Sequence, residues 1–129
     1  MNKIALFFGI MLAVTAASAQ AAPGADKSAA SADALTKTVS GLDSELFDAF
    51  NHCDTPGELQ KHAGYLAKRL EFYHDKGGVT WTRAAYLANT QKNVCGHFRR
   101  ELVPGSLEIF PIKDFGAIEQ GWHKFCDLK

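Results

Sequence analysis

Residues Arg69–Gly96 read RLEFYHDKGGVTWTRAAYLANTQKNVCG, and the hydrophobic period changes once within them. Leu70, Phe72 and His74 alternate with Glu71, Tyr73 and Asp75. A period of two with aromatic side chains predicts a β-strand on a half-buried, pleated surface. Asp75-Lys76-Gly77-Gly78 stops it, because paired glycines accept the positive φ of a tight reversal. Val79-Thr80-Trp81 is a short return strand. From Thr82 the period lengthens: Ala84, Leu87, Ala88, Gln91 and Val94 share one face of a helix. Lys92 suits its last turn, and Gly96 stands where a C-cap glycine would. Strand, turn and helix form the organising unit.

Upstream, Asp33 can cap a first helix whose apolar stripe is Leu35, Val39, Leu42, Leu46, Phe50 and Cys53. Alternatively Ser40 starts a shorter helix, with Asp43 as its capping-box partner. Thr55-Pro56-Gly57-Glu58 carries the marks of a second helix start, and that helix ends near Gly64. Downstream, Arg99–Val103 and Ser106–Ile112 read as strand, interrupted by a bend or bulge at Pro104-Gly105. Lys113-Asp114-Phe115-Gly116 is a turn, and 117–126 is a second long strand. Its two faces carry Ile118, Gln120, Trp122 and Lys124, against Ala117, Glu119, Gly121, His123 and Phe125. Neither is clean enough to say which looks inward. The order helix, helix, strand, helix, strand, strand defines an α+β domain.

The N-terminus reads differently. Lys3, the apolar run Ile4–Val14 and Ala17-Ser18-Ala19 make a secretory signal peptide over 1–19. An Ala/Ser/Gly/Pro-rich stretch, 20–32, reads as a flexible leader, and 33–129 as the domain. The expected location is therefore the periplasm or the medium, with no membrane partner after cleavage. The chain has 129 residues, 47% hydrophobic and 22% charged, with 14 basic and 14 acidic residues. That length allows one domain, and the absence of a basic stripe argues against nucleic acid.

The pieces LDSELFDAFNHCD, LEFYHDKGGVTWTR, NVCGHFRRELVPGSLEIFPI and FGAIEQGWHKF resemble the SnoaL-like, or nuclear-transport-factor-2-like, superfamily, in its branch of secreted bacterial proteins. The resemblance spans about residues 37 to 126. It implies a cone in which a curved mixed sheet wraps round helices and leaves a pocket at the wide end. Isomerases, cyclases, dehydratases and non-catalytic binders share that fold, so it does not choose among them. The family pattern continues with two further strands, so the domain is expected to be incomplete at its C-terminus.

Tyr73, His74 and Asp75 then fall near the pocket mouth. With the Leu70–Phe72–His74 face turned inward, His74 is the pocket residue and Asp75 caps the turn. Glu119 and His123 share a strand face roughly 13 Å apart. Together with His74 they are the candidate acid–base groups, suited to isomerase, cyclase or hydratase chemistry. Leu70, Phe72, Phe110 and Trp122 are candidate apolar walls. The expected partner is a small apolar or amphipathic molecule, with a homodimer as a further expectation. The competing classes are a non-catalytic ligand-binding or protein-interaction module and a non-functional truncated gene product. Arg99-Arg100-Glu101 reads as a solvated strand end. His52, His62, His74, His97, His123 and the three cysteines lack paired ligand spacing, so no metal or cofactor is expected. Cys53 and Cys95 end two helices, and an oxidising compartment would join them and leave Cys126 free.

Overall fold

The computed structural model describes residues 23–129. The expected signal peptide, 1–19, and the first residues of the expected leader lie outside the described residues. The elements are α1 (Pro23–Asn51), α2 (Glu58–Gly64), β1 (Phe72–His74), β2 (Gly78–Thr80), α3 (Arg83–Asn93), β3 (Phe98–Leu102), β4 (Glu108–Ile112), β5 (Gly116–Gln120) and β6 (His123–Asp127). The fold is α+β. α1 begins ten residues before Asp33, so the described part of the expected leader is helical. Its alanines favour helix, and Pro23 sits at the first helical position.

The buried side of α1 is rotated from the expected stripe. Phe50 and Cys53 are buried, but Leu42 is 48% exposed and its neighbour Asp43 is buried instead. Asp43 thus lies within the helix and caps nothing. α2 also starts differently. Its N-cap is Gly57 at φ 92, and Thr55 gives no side-chain cap; its carbonyl accepts from the Glu58 N–H instead. α3 is capped by Thr82, whose hydroxyl accepts from the Ala85 N–H at 3.1 Å. Its inward side is Arg83, Tyr86, Leu87, Thr90 and Val94. Ala84, Ala88 and Gln91 are exposed, because the large Tyr86 ring and not the small alanines fills the space against α2.

All strand pairing among the described residues is antiparallel, in three two-stranded ladders: β1–β2, β3–β6 and β4–β5. No single mixed sheet is formed by them. β3–β4 and β5–β6 are nevertheless two arms of one bent hairpin. Glu108 opposes Gln120 and Ile112 opposes Gly116, whereas Leu102 opposes His123 and Phe98 opposes Asp127. The first arm carries the larger insertion between its ladders, which bends the hairpin. Ser106 bridges the break: its hydroxyl accepts from the Trp122 N–H at 3.0 Å, and Val103 N–H donates to the Trp122 carbonyl at 2.8 Å. The expected long strand 117–126 is therefore interrupted at Gly121-Trp122.

A row of rings runs from β1 to β6 beneath the hairpins. Phe72 meets Tyr86 at 5.0 Å, Tyr86 meets His62 at 5.9 Å, His62 meets Phe50 at 5.4 Å, and Phe50 meets Phe125 at 6.2 Å. Cys53 and Cys95 are joined by a disulfide that ties the end of α1 to the end of α3, and Cys126 is a free thiol. No described helix is long and apolar enough to cross a membrane.

Candidate functional site

A group of ionisable side chains built round a buried ion pair lies where α1 meets the bent hairpin. α1 supplies Asp43, Phe47 and Asn51, four residues apart on one side of the helix. β3 supplies Arg100, β5 Glu119 and β6 His123. The alternation along 117–127 turns Glu119, His123 and Phe125 toward α1.

Asp43 and Arg100 form the centre, and both are almost fully buried. Arg100 Nη1 donates to Asp43 Oδ2 at 2.9 Å and Nη2 to Oδ1 at 3.0 Å, a fork that matches both carboxylate oxygens. The guanidinium carbon sits 3.8 Å from the Phe47 ring centroid, so an aromatic face covers the cation. Arg100 Nε–H donates to His123 Nδ1 at 3.4 Å, which leaves the imidazole proton on Nε2.

Glu119 completes the cluster. Its carboxyl is pushed up to about 7, chiefly by burial, then by the negative charge of Asp43 and a hydrogen bond to it, with Arg100 opposing. The nearby Asp43 charge thus favours the protonated form of Glu119. His123 is shifted down, first by burial and then by the Arg100 charge, with Asp43 opposing. Glu119 and His123 remain exposed as residues, so solvent reaches both. The site therefore pairs a neutralised ion pair with a carboxyl raised to about 7 and an imidazole shifted below its ordinary value.

Of the residues expected from the sequence, Glu119 and His123 come together here and His74 does not. His74 sits at the β1–β2 turn, where its Nδ1 accepts from the backbone N–H groups of Lys76 at 3.1 Å and Gly77 at 3.0 Å. Asp75 caps the same turn through the Lys76 N–H at 2.9 Å, and Tyr73 is exposed on Glu71 and Trp81. Neither Leu70 nor any of the aromatics named as walls forms a common pocket. Leu70 is half-buried before β1, and Phe72 packs on Tyr86. Phe110, opposite Ile118, and Trp122 lie on the hairpin face turned away from Glu119 and His123. The strand alternation that sends Glu119 inward sends Trp122 outward.

Asp43 and Arg100 were not among the expected site residues. Arg100 in a run of charges reads as solvated, but its burial comes from a partner 57 residues away. A usable signal was present: Asp43 shares the helical spacing of Val39, Leu46 and Phe50, and a carboxylate on an apolar stripe needs a partner. Among the described residues no cluster of three or more His, Cys, Asp or Glu side chains could hold a metal ion.

No known protein family, curated protein or solved structure matches this chain. Fold and site together define a small α+β protein with a cluster of ionisable side chains on a helix–hairpin seam.

Proposed function

We propose that this chain is an exported SnoaL-like domain that binds a small, largely apolar molecule beside the Asp43–Glu119 carboxyl pair and moves a proton on it. The observation that carries the proposal is the Glu119 carboxyl, held at about 7 next to the buried Asp43–Arg100 pair. A group half-ionised near neutrality both gives and takes a proton efficiently. Phe47 and Phe125 pack on His123, the other titratable side chain of the cluster. The chemistry that fits is isomerisation, cyclisation or hydration, in which a proton leaves one atom of the substrate and returns to another.

The nuclear-transport-factor-2-like cone belongs to this proposal. The order of elements supports it, as does the bent hairpin that lays one face on α1. Export is supported by the Cys53–Cys95 disulfide, a bond typical of oxidising compartments. Native mass spectrometry of the protein purified from its secreted fraction tests the binding. A bound small molecule that is lost in Glu119→Gln is the expected result; a ligand-free spectrum across preparations would refute it. A bell-shaped pH–rate profile with a limb near 7, abolished in Glu119→Gln, would mark an enzyme; binding without turnover would leave a non-catalytic module.

A further inference from the structure

The hairpin face turned away from α1 is apolar at its turn end. Phe110 (46% exposed), Ile112 (39%) and Ile118 (55%) stand together there, with Phe115 (87%) at the turn and Trp122 (77%) beside the bulge. Phe110 and Ile118 are directly opposed in the ladder, so their side chains share one face. At 150–250 Å² for a fully exposed large side chain, these five leave about 600 Å² of apolar surface in water. That is the upper limit of patches on ordinary monomers. With a polar rim of Glu108, Gln120 and Lys113 it approaches the roughly 800 Å² per partner of a standard interface.

The patch is complementary to itself. Take the Phe110–Ile118 pair as a centre. Phe115 stands three residues from Ile118 toward the turn, roughly 10 Å, and Trp122 four residues the other way, roughly 13 Å. Beside Trp122 lies a depression of about 260 Å³ lined by Ser106, Glu108, Gln120, Gly121 and Trp122. A two-fold axis through the centre would seat Phe115 of one copy in that depression of the other, and the reverse. The same axis brings Glu108, two residues from Phe110 on the bulge side, against Lys113, three residues from it on the turn side. An acidic and a basic group thus meet twice. Such an isologous contact closes on itself and needs no other surface.

We propose that this face is the interface of a two-fold homodimer, with Phe115 of each copy inserted beside Trp122 of the other. The proposal is independent of the Asp43–Glu119 site, which lies on the opposite face. Sedimentation of the mature chain should give twice the monomer mass. Glu108→Lys and Lys113→Glu should each weaken the dimer by about tenfold or more, because each sets like charges together at both contacts. Mixing the two variant chains should restore it, since the mixed pair has opposite charges at both places. Far-UV circular dichroism checks that each variant keeps its fold. A wild-type monomer would overturn the proposal. So would single variants that dimerise as the wild type does, or a dimer that is lost in Cys126→Ser, which would mark Cys126 as the link.

Discussion

Asn51 takes both backbone groups of Arg100: its Nδ2 donates to the Arg100 carbonyl at 2.9 Å, and its Oδ1 accepts from the Arg100 N–H at 2.6 Å. A helix side chain thereby stands where a neighbouring strand would pair with β3. It also sets the height of Arg100 against Asp43 and Phe47. Asn51→Ala leaves a donor and an acceptor of β3 without partners, which costs about 1–3 kcal/mol. Urea unfolding should show that loss. Asn51→Asp keeps the acceptor but faces the carbonyl with a charge, so it should not recover the stability. A neutral outcome for Asn51→Ala would mean that water replaces the clamp without cost.

The Asp43–Arg100 pair predicts an asymmetric pattern. Removing one partner leaves a buried charge alone, which typically costs 3–5 kcal/mol. Asp43→Asn and Arg100→Met should each destabilise by about that amount. The double variant should cost less than the sum of the two, because neither charge remains. Arg100→Lys should also destabilise, since an ammonium cannot bridge both oxygens while lying on Phe47. A double-mutant cycle in urea gives all four values; additive losses would argue against a coupled pair.

Sequence periodicity revealed much of this architecture. The change from period two to a helical period after Thr82 marks the start of α3, and Lys113–Gly116 marks the hairpin turn. The shared strand face of Glu119 and His123 was likewise visible. Their contact with Asp43 and Arg100 was not, because the burial of an arginine depends on a partner remote in sequence. For the same reason His74 looked functional: an imidazole at a strand end offers no local clue that its lone pair is held by two backbone N–H groups. The buried side of α3 follows Tyr86, which lies off the Ala84–Leu87–Ala88–Gln91–Val94 face, because alanines contribute little area and a tyrosine much.

Glu119 predicts how stability falls with rising pH. Its folded pKa, about 7, lies above the unfolded value near 4.5, so the native state holds this proton more tightly. The native state is therefore disfavoured progressively as pH rises from about 4.5 through about 7. Glu119→Gln cannot lose a proton and should flatten that limb. Urea midpoints between pH 5 and 8 test it: parallel curves for variant and wild type would show that Glu119 titrates normally.

The Cys53–Cys95 disulfide closes a loop between residues 42 apart. In the chain-entropy description a loop of that length stabilises by about 4 kcal/mol. Mild reduction, or Cys53→Ser with Cys95→Ser, should lower stability by an amount of that order. Mass spectrometry of non-reduced peptides should find the 53–95 link and an unpaired Cys126. A linkage through Cys126 would contradict the structure.

His62 should control the acid limb. It is fully buried among α1, α2 and α3. Its Nδ1–H donates to the Leu46 carbonyl at 3.0 Å, and its Nε2 accepts from the Tyr86 hydroxyl at 3.3 Å. The ring is thus neutral, with both nitrogens occupied. Burial lowers its pKa, and the Leu46 hydrogen bond only partly opposes this. A histidine with a depressed folded pKa lends stability that is present above its unfolded value of about 6.5 and is lost as pH falls below it. This slope is opposite in sign to that of Glu119. The two effects therefore oppose each other: His62 removes stability as pH falls below about 6.5, and Glu119 removes it as pH rises toward about 7. His123 is also shifted down but is exposed, so its share of the acid limb is the smaller. His62→Gln is uncharged at every pH and should remove most of the acid slope, with a general loss from imperfect packing. NMR titration of the imidazole gives a direct measurement. A His62 midpoint at or above 6.5, or an acid limb unchanged in His62→Gln, would assign that limb to other groups.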